Sequence, residues 1–145
     1  MKSCTFIGHH DCPYDIKDKL SLKIESLIVN RNVRTFYVGT HGRFDELVYS
    51  VLCDLEIKYD IKFFVVLAYL SSSGNKIYDT EKTMFPEELC NTIKRYAIIK
   101  RNEYMIKNSD YLVCYANDTF SNTYKFIEYA KHRGIKVFNL GSVIT

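Results

Sequence analysis

Thr35-Phe36-Tyr37-Val38-Gly39-Thr40-His41-Gly42-Arg43-Phe44-Asp45 is the stretch that decides the architecture. Residues 35–38 read as a buried strand. Residues 46–58 read as a helix, with Phe44, Leu47, Val48, Val51, Leu52 and Leu55 on one apolar stripe. Asp45 sits near the start of that helix, where a carboxylate suits the helix dipole. A strand that passes through glycines into a helix start makes a place for an anion. Glycine lets backbone approach a ligand closely, and unpaired amides at the helix start point at it.

Working outward, the same alternation repeats. Residues 4–7 form a short apolar strand that ends at Gly8, and residues 14–29 space their apolar side chains as a helix does. Residues 61–69 are a nearly continuous apolar run, as expected of a strand covered on both faces. A polar segment then runs from Ser71 to Pro86 with no pattern of its own; such loops are often lids. Pro86-Glu87-Glu88 suits the opening of a short helix. Helical patterns cover residues 96–106 and 124–132, the second stopped by Gly134, and strands cover 111–115 and 136–140.

Regular alternation implies right-handed crossovers, and so one domain over residues 1–145. The expected fold is a three-layer, Rossmann-like α/β fold: a mainly parallel five-stranded sheet flanked by helices. Ligands of such sheets bind beyond the carboxyl ends of the strands, where strand order reverses. Gly8-His9-His10, residues 39–45, residues 69–73 and residues 116–123 should therefore meet in space.

The chain carries 20 basic and 17 acidic side chains, a net charge of +3, which is too mild to favour nucleic acid by bulk attraction. Lys94, Arg95, Lys100 and Arg101 form a local cluster, read either as a solvated helix face or as a helix with an arginine turned inward to hold a phosphate. The five cysteines are widely spaced with no CxxC pair, so no structural zinc site is expected. Cys4 and Cys114 are expected to be buried thiols, and Cys12 and Cys90 to be exposed. No apolar run reaches membrane length and no leader pattern precedes the first strand, so a cytoplasmic, non-membrane protein is expected.

Four groups of residues carry the candidate chemistry. Gly8, His9 and His10 end the first strand, either as a pocket wall donating to phosphate or ribose or as solvent-facing turn residues. No metal is expected, because adjacent histidines at a strand end point to opposite sides. Gly39, Thr40, His41 and Gly42, with Asp45, form the glycine loop, which matches neither the full dinucleotide fingerprint nor a phosphate loop ending in Gly-Lys-Ser/Thr. Asn117, Ser121, Asn122 and Thr123 open a helix, either capping it or leaving its amides for a phosphate. Arg95 and Arg101 offer planar guanidinium groups, with Asn102 beside the second. Tyr69 offers a ring for stacking on a base. No catalytic residue is assigned; His9, His10, Asp45 and Glu46 are the titratable candidates should turnover occur.

In that order along the chain, several short segments resemble the SLOG superfamily, in particular its small standalone YpsA-like group. They are Cys4-Thr5-Phe6-Ile7-Gly8-His9, Phe36-Tyr37-Val38-Gly39 with Gly42 and Phe44-Asp45, and Val65-Val66-Leu67-Ala68-Tyr69. Arg95 to Ala97, Arg101-Asn102 with Met105, Ser109-Asp110-Tyr111, and Lys136-Val137 with Asn139-Leu140 continue the series. The resemblance implies a Rossmann-like domain that binds a nucleotide or a nucleotide-derived signal of the ADP-ribose or cyclic ADP-ribose type. It would act as a sensor or sequestering module, linked to antiphage signalling and phage–bacterium conflict. It further implies a homo-oligomer, a phosphorylated small molecule as partner, and no resident cofactor. The neighbouring LOG family cleaves the N-glycosidic bond of nucleotides, which is the alternative function. Two departures bear on it: His10 stands where YpsA-like chains often have arginine, and the LOG glutamate position falls at Phe126, which can act as neither acid nor base.

Overall fold

The computed structural model of the chain describes residues 1–70 and 80–142. Six strands build one sheet: β1 (Lys2–Gly8), β2 (Val33–Val38), β3 (Lys62–Val66), β4 (Thr83–Met84), β5 (Tyr111–Tyr115) and β6 (Lys136–Asn139). Four helices connect them: α1 (Lys17–Arg31), α2 (Gly42–Lys58), α3 (Lys94–Lys107) and α4 (Asn122–His132). The sheet order is β4-β3-β2-β1-β5-β6, and every neighbouring pair is parallel. The expected five strands are thus six. The additional one is β4, two residues long, drawn from the segment read as loop and paired through Val65 with Thr83 and Val66 with Met84. Two residues are too few to show an alternating pattern. The run 61–69 likewise gives a shorter strand than its apolarity suggested, because β3 ends at Val66. Residues 71–79, the middle of the expected lid, lie outside the described residues.

Strand side chains alternate between two cores. Phe6 and Phe36, stacked with centroids 6.0 Å apart, and Val113 face α1 and α2, where Leu20, Ile24, Leu27, Val48, Val51 and Leu52 meet them. Ile7, Val66, Leu112 and Cys114 face the opposite way, against Met105 and Ile106 of α3 and Ile127 and Ala130 of α4. Each fully buried side chain of this size contributes about 1.5–3 kcal/mol through burial. Cys12, expected at the surface, is 1% exposed inside the first core, while Cys90 is exposed. The neighbours of Cys12, Asp11 and the turn-former Pro13, gave no sign that the turn after β1 folds inward.

Strand order reverses between β1 and β5. The chain winds outward from β1 through β2 and β3, then returns through α3 to β5 on the other side of β1. A crevice therefore opens beyond Gly8 and Tyr115. Among the described residues, no helix is long and apolar enough to cross a membrane.

Candidate functional site

Arg101 anchors the floor of the crevice. On α3 the inward stripe is Ala97, Arg101, Asn102, Met105 and Ile106, so an arginine and an asparagine stand where an apolar residue would be ordinary. Of the cationic cluster at the start of α3, Lys94, Arg95 and Lys100 are exposed and Arg101 alone turns in, with 1% of its surface accessible. Its Nη1 donates to the carbonyl of Val66 at 3.1 Å and to Thr40 Oγ1 at 3.3 Å, and its Nε donates to Asn102 Oδ1 at 2.7 Å. Such an orienting set satisfies a buried guanidinium, which cannot shed its charge.

Asp45 lies beside it. Its Oδ2 accepts the backbone N–H of His41 at 3.0 Å, so the carboxylate reaches back to the residue that caps α2. Burial pushes the Asp45 carboxyl up to about 6, against the pull of Arg101 and of the His41 amide. The His41 imidazole is held below its ordinary value by burial, then by Arg101 and His10, and its Nδ1 shares a 3.1 Å hydrogen bond with Thr40 Oγ1.

The two glycines of the loop make room for protein. A methyl group on Gly39 would stand 2.8 Å from Asp45 Oδ2 and 2.9 Å from Arg101 Cζ. Gly42 has φ +88°, which favours glycine, and a methyl group there would meet His10 Cα at 2.7 Å. The space read as a ligand's approach is occupied by the Asp45–Arg101 pair and by His10.

His9 and Asn117 tie the two sides of the crevice together. His9 Nε2 accepts the Asn117 amide at 2.9 Å, which requires the imidazole to carry its proton on Nδ1. Asn117 spends its side chain on the Tyr115 hydroxyl at 3.1 Å and on Ser142. Asp118 Oδ1 takes the amides of Phe120 and Ser121, and Ser121 Oγ takes that of Tyr124 at 3.2 Å. Asn122 and Thr123 border the crevice, and their amides come before the hydrogen-bond ladder of α4.

A cavity of about 780 Å³ fills this place. Gly8, His9, His10, His41, Asp45, Arg101, Ser121, Asn122 and Thr123 border it, nine of the residues marked in the sequence. Gly39, Thr40 and Gly42 lie behind its wall. Asn117 is taken up by the tie, and Arg95 is exposed with its guanidinium 4.8 Å from the Tyr96 ring centroid. Tyr69 stands off the cavity, its ring 6.4 Å from that of His41 and 4.9 Å below Lys94 Nζ. The sequence reading missed the apolar half: Ile98 and Ile99 from α3, Phe126 and Tyr129 from α4, which form a cleft between the two helices. It also missed Lys125 and Glu103. The signal available was helical spacing, since Ser121, Lys125 and Tyr129, with Asn122 and Phe126, recur on one side of α4. Among the described residues, no group of three or more His, Cys, Asp or Glu side chains is placed to hold a metal ion.

No protein-family model matches the chain, and no curated protein matches it either. Among solved structures it is similar to DNA processing protein A (DprA) from Streptococcus pneumoniae, with a TM-score of 0.72 and 13% sequence identity. The match covers 99% of this chain and 51% of that one, so the chain spans about half the length of the protein it matches. At this identity the likeness is one of fold: a parallel, doubly wound α/β domain.

Proposed function

We propose that the domain binds a nucleotide or nucleotide-derived signal at the carboxyl ends of its strands. The observation that carries this reading is a single cavity at the reversal point with two unlike ends. At one end, the amides of Asn122 and Thr123 and the ammonium of Lys125 supply donors and positive charge for a phosphate. Between α3 and α4, Ile98, Ile99, Phe126 and Tyr129 supply an apolar slot with two rings against which a base can lie. The volume, about 780 Å³, falls in the upper part of the range of small-molecule sites. The reading agrees with the SLOG resemblance, from which the finer proposal follows: an ADP-ribose or cyclic ADP-ribose type of ligand, held by a sensor or sequestering module in phage–bacterium conflict. Calorimetry and thermal shift with AMP, ADP, NAD, ADP-ribose and cyclic ADP-ribose test it. Stabilisation by at least one is expected, and none at millimolar concentration would end the proposal.

A second reading is cleavage of an N-glycosidic bond. It draws on Asp45, a carboxyl in the cavity wall that burial pushes up to about 6, inside the range where a general acid or base works. Against it stands Phe126, which presents an apolar ring to the cavity where LOG enzymes carry glutamate. Incubation with nucleoside monophosphates and NAD decides between them: released base or ribose phosphate supports turnover, and binding without release supports the module.

A further inference from the structure

Asp45 is 7% exposed, and its two oxygens have different fates. Oδ2 is spent on the His41 amide. Among the described residues no hydrogen bond reaches Oδ1, yet no buried side-chain oxygen or nitrogen lacks a partner, so Oδ1 is not sealed in. Asp45 borders the cavity, which is the open space within reach of its second oxygen. A carboxylate oxygen beside a cavity, on a carboxyl whose other oxygen is fixed by a backbone amide, is an acceptor open to a donor.

The surroundings narrow the donor. Arg101 lies close to Asp45 over Gly39, so a positive charge is already present there and the floor has little call for a cation. Asp11 and Glu103 border the same cavity, which disfavours placing a phosphate beside Asp45 and sends it to the opposite end, at Asn122, Thr123 and Lys125. A neutral donor remains. Between a phosphate at one end and a base in the α3–α4 slot, the neutral donors of a nucleotide are its sugar hydroxyls.

Resting on the function proposed above, we infer that Asp45 Oδ1 accepts a sugar hydroxyl of the ligand, and that the site thereby selects ribose over deoxyribose. Asp45 is then a specificity-determining residue rather than only a helix cap. The effect follows from the asymmetry of buried hydrogen bonds. A ligand without the hydroxyl leaves a buried charged acceptor with no donor, which corresponds to roughly ten- to hundredfold weaker binding.

The experiment is calorimetry of the purified chain with AMP, 2′-deoxy-AMP and 3′-deoxy-AMP. At least one deoxy form is expected to bind roughly ten- to hundredfold more weakly than AMP. Asp45→Ala should bind AMP as weakly as that deoxy form binds the wild type, and should no longer distinguish the two. Because Ala also removes the acceptor of the His41 amide, Asp45→Asn serves as a second variant of the same shape. Its carboxamide can take the His41 amide while turning a donor toward the cavity, so discrimination should shrink but not vanish. Equal affinity of the wild type for all three ligands, within twofold, overturns this inference and leaves the proposed function standing. If neither these three nor any ligand of the wider panel binds, both the inference and the proposed function fall.

Discussion

Two crossover openings face the same crevice, and they have opposite characters. The opening between β2 and α2 is the glycine-bearing one, and the protein fills it from within. Arg101 and Asp45 occupy the space over Gly39, His10 that over Gly42, and Asp45 answers the amide of His41. The opening between β5 and α4 has no glycine from Ala116 to Thr123, yet its first helical residues border the cavity. Ser121 there caps one amide and leaves the preceding two outside the ladder. Glycine at a strand end therefore marks close approach without saying what approaches. Here it is protein: Asp45 of α2 and Arg101 of α3 over Gly39, and His10 over Gly42. The first opening should govern stability and the second affinity.

The largest expected effect tests the filled opening. Arg101→Ala removes a buried cation that donates to Val66, Thr40 and Asn102, and takes away the positive charge near Asp45. A loss of about 3–5 kcal/mol in denaturant unfolding is expected. The loss should be smaller in an Asp45→Asn background, where no carboxylate is stranded. A loss below 1 kcal/mol would mean that the pair is not what closes this opening.

Next comes Asp45→Asn by itself, read against pH. The folded carboxyl is pushed up to about 6 from an ordinary value of 3.8, with Arg101, His10, His41 and Glu46 as the charged or titratable groups around it. A folded value above the unfolded one contributes stability that is present below about pH 4 and is lost as pH rises through about 6. Asparagine does not titrate, so the variant should match the wild type near pH 4 and exceed it at pH 7.5 by about 2–3 kcal/mol. A variant less stable than wild type at pH 7.5 would show that the attraction of Arg101 outweighs the cost of burial.

Gly39→Ala follows, at about 1–3 kcal/mol of destabilisation, because its methyl group displaces the Asp45–Arg101 pair from packing that has no slack. Thermal melts of Gly39→Ala beside a surface Gly134→Asn control separate this clash from the general effect of losing glycine. Gly134, at φ +79°, has no heavy atom within 4 Å of the methyl position, and Asn tolerates such a φ.

How much of this was legible in the sequence follows from what each feature depends on. The layers, the parallel winding and the crevice come from local periodicity repeated in alternation along the whole chain. Two-residue β4 carries no period and was missed. Arg101 was legible as one of two options, since a solvated face and an inward arginine share the same residues. What decides between them is that Ala97, Met105 and Ile106 lie on its side of α3. The inward turn of Cys12 and the filling of Gly39 depend on contacts between segments far apart in the chain, which no local pattern encodes. The apolar slot of Ile98, Ile99, Phe126 and Tyr129 was hidden for another reason. Apolar residues at helical spacing look the same whether they face a core or an empty cleft.

The smallest expected effect on stability belongs to the second opening and completes the contrast. Lys125 is exposed at the first turn of α4 and borders the cavity, and no ion pair holds it among the described residues. Lys125→Ala should leave unfolding within about 0.5 kcal/mol of wild type. If the phosphate lies at the amides of Asn122 and Thr123, the same variant should weaken nucleotide binding roughly three- to tenfold, the scale of a partly exposed charge-assisted contact. Salt separates this from a change of shape. Wild-type affinity should fall between low and physiological ionic strength, because the contact is open to screening, and the variant's should fall less. A phosphate seated instead among the filled residues would reverse the pattern: Lys125→Ala would not change affinity or its salt dependence, and Arg101→Ala would abolish binding in whatever fraction of the protein still folds.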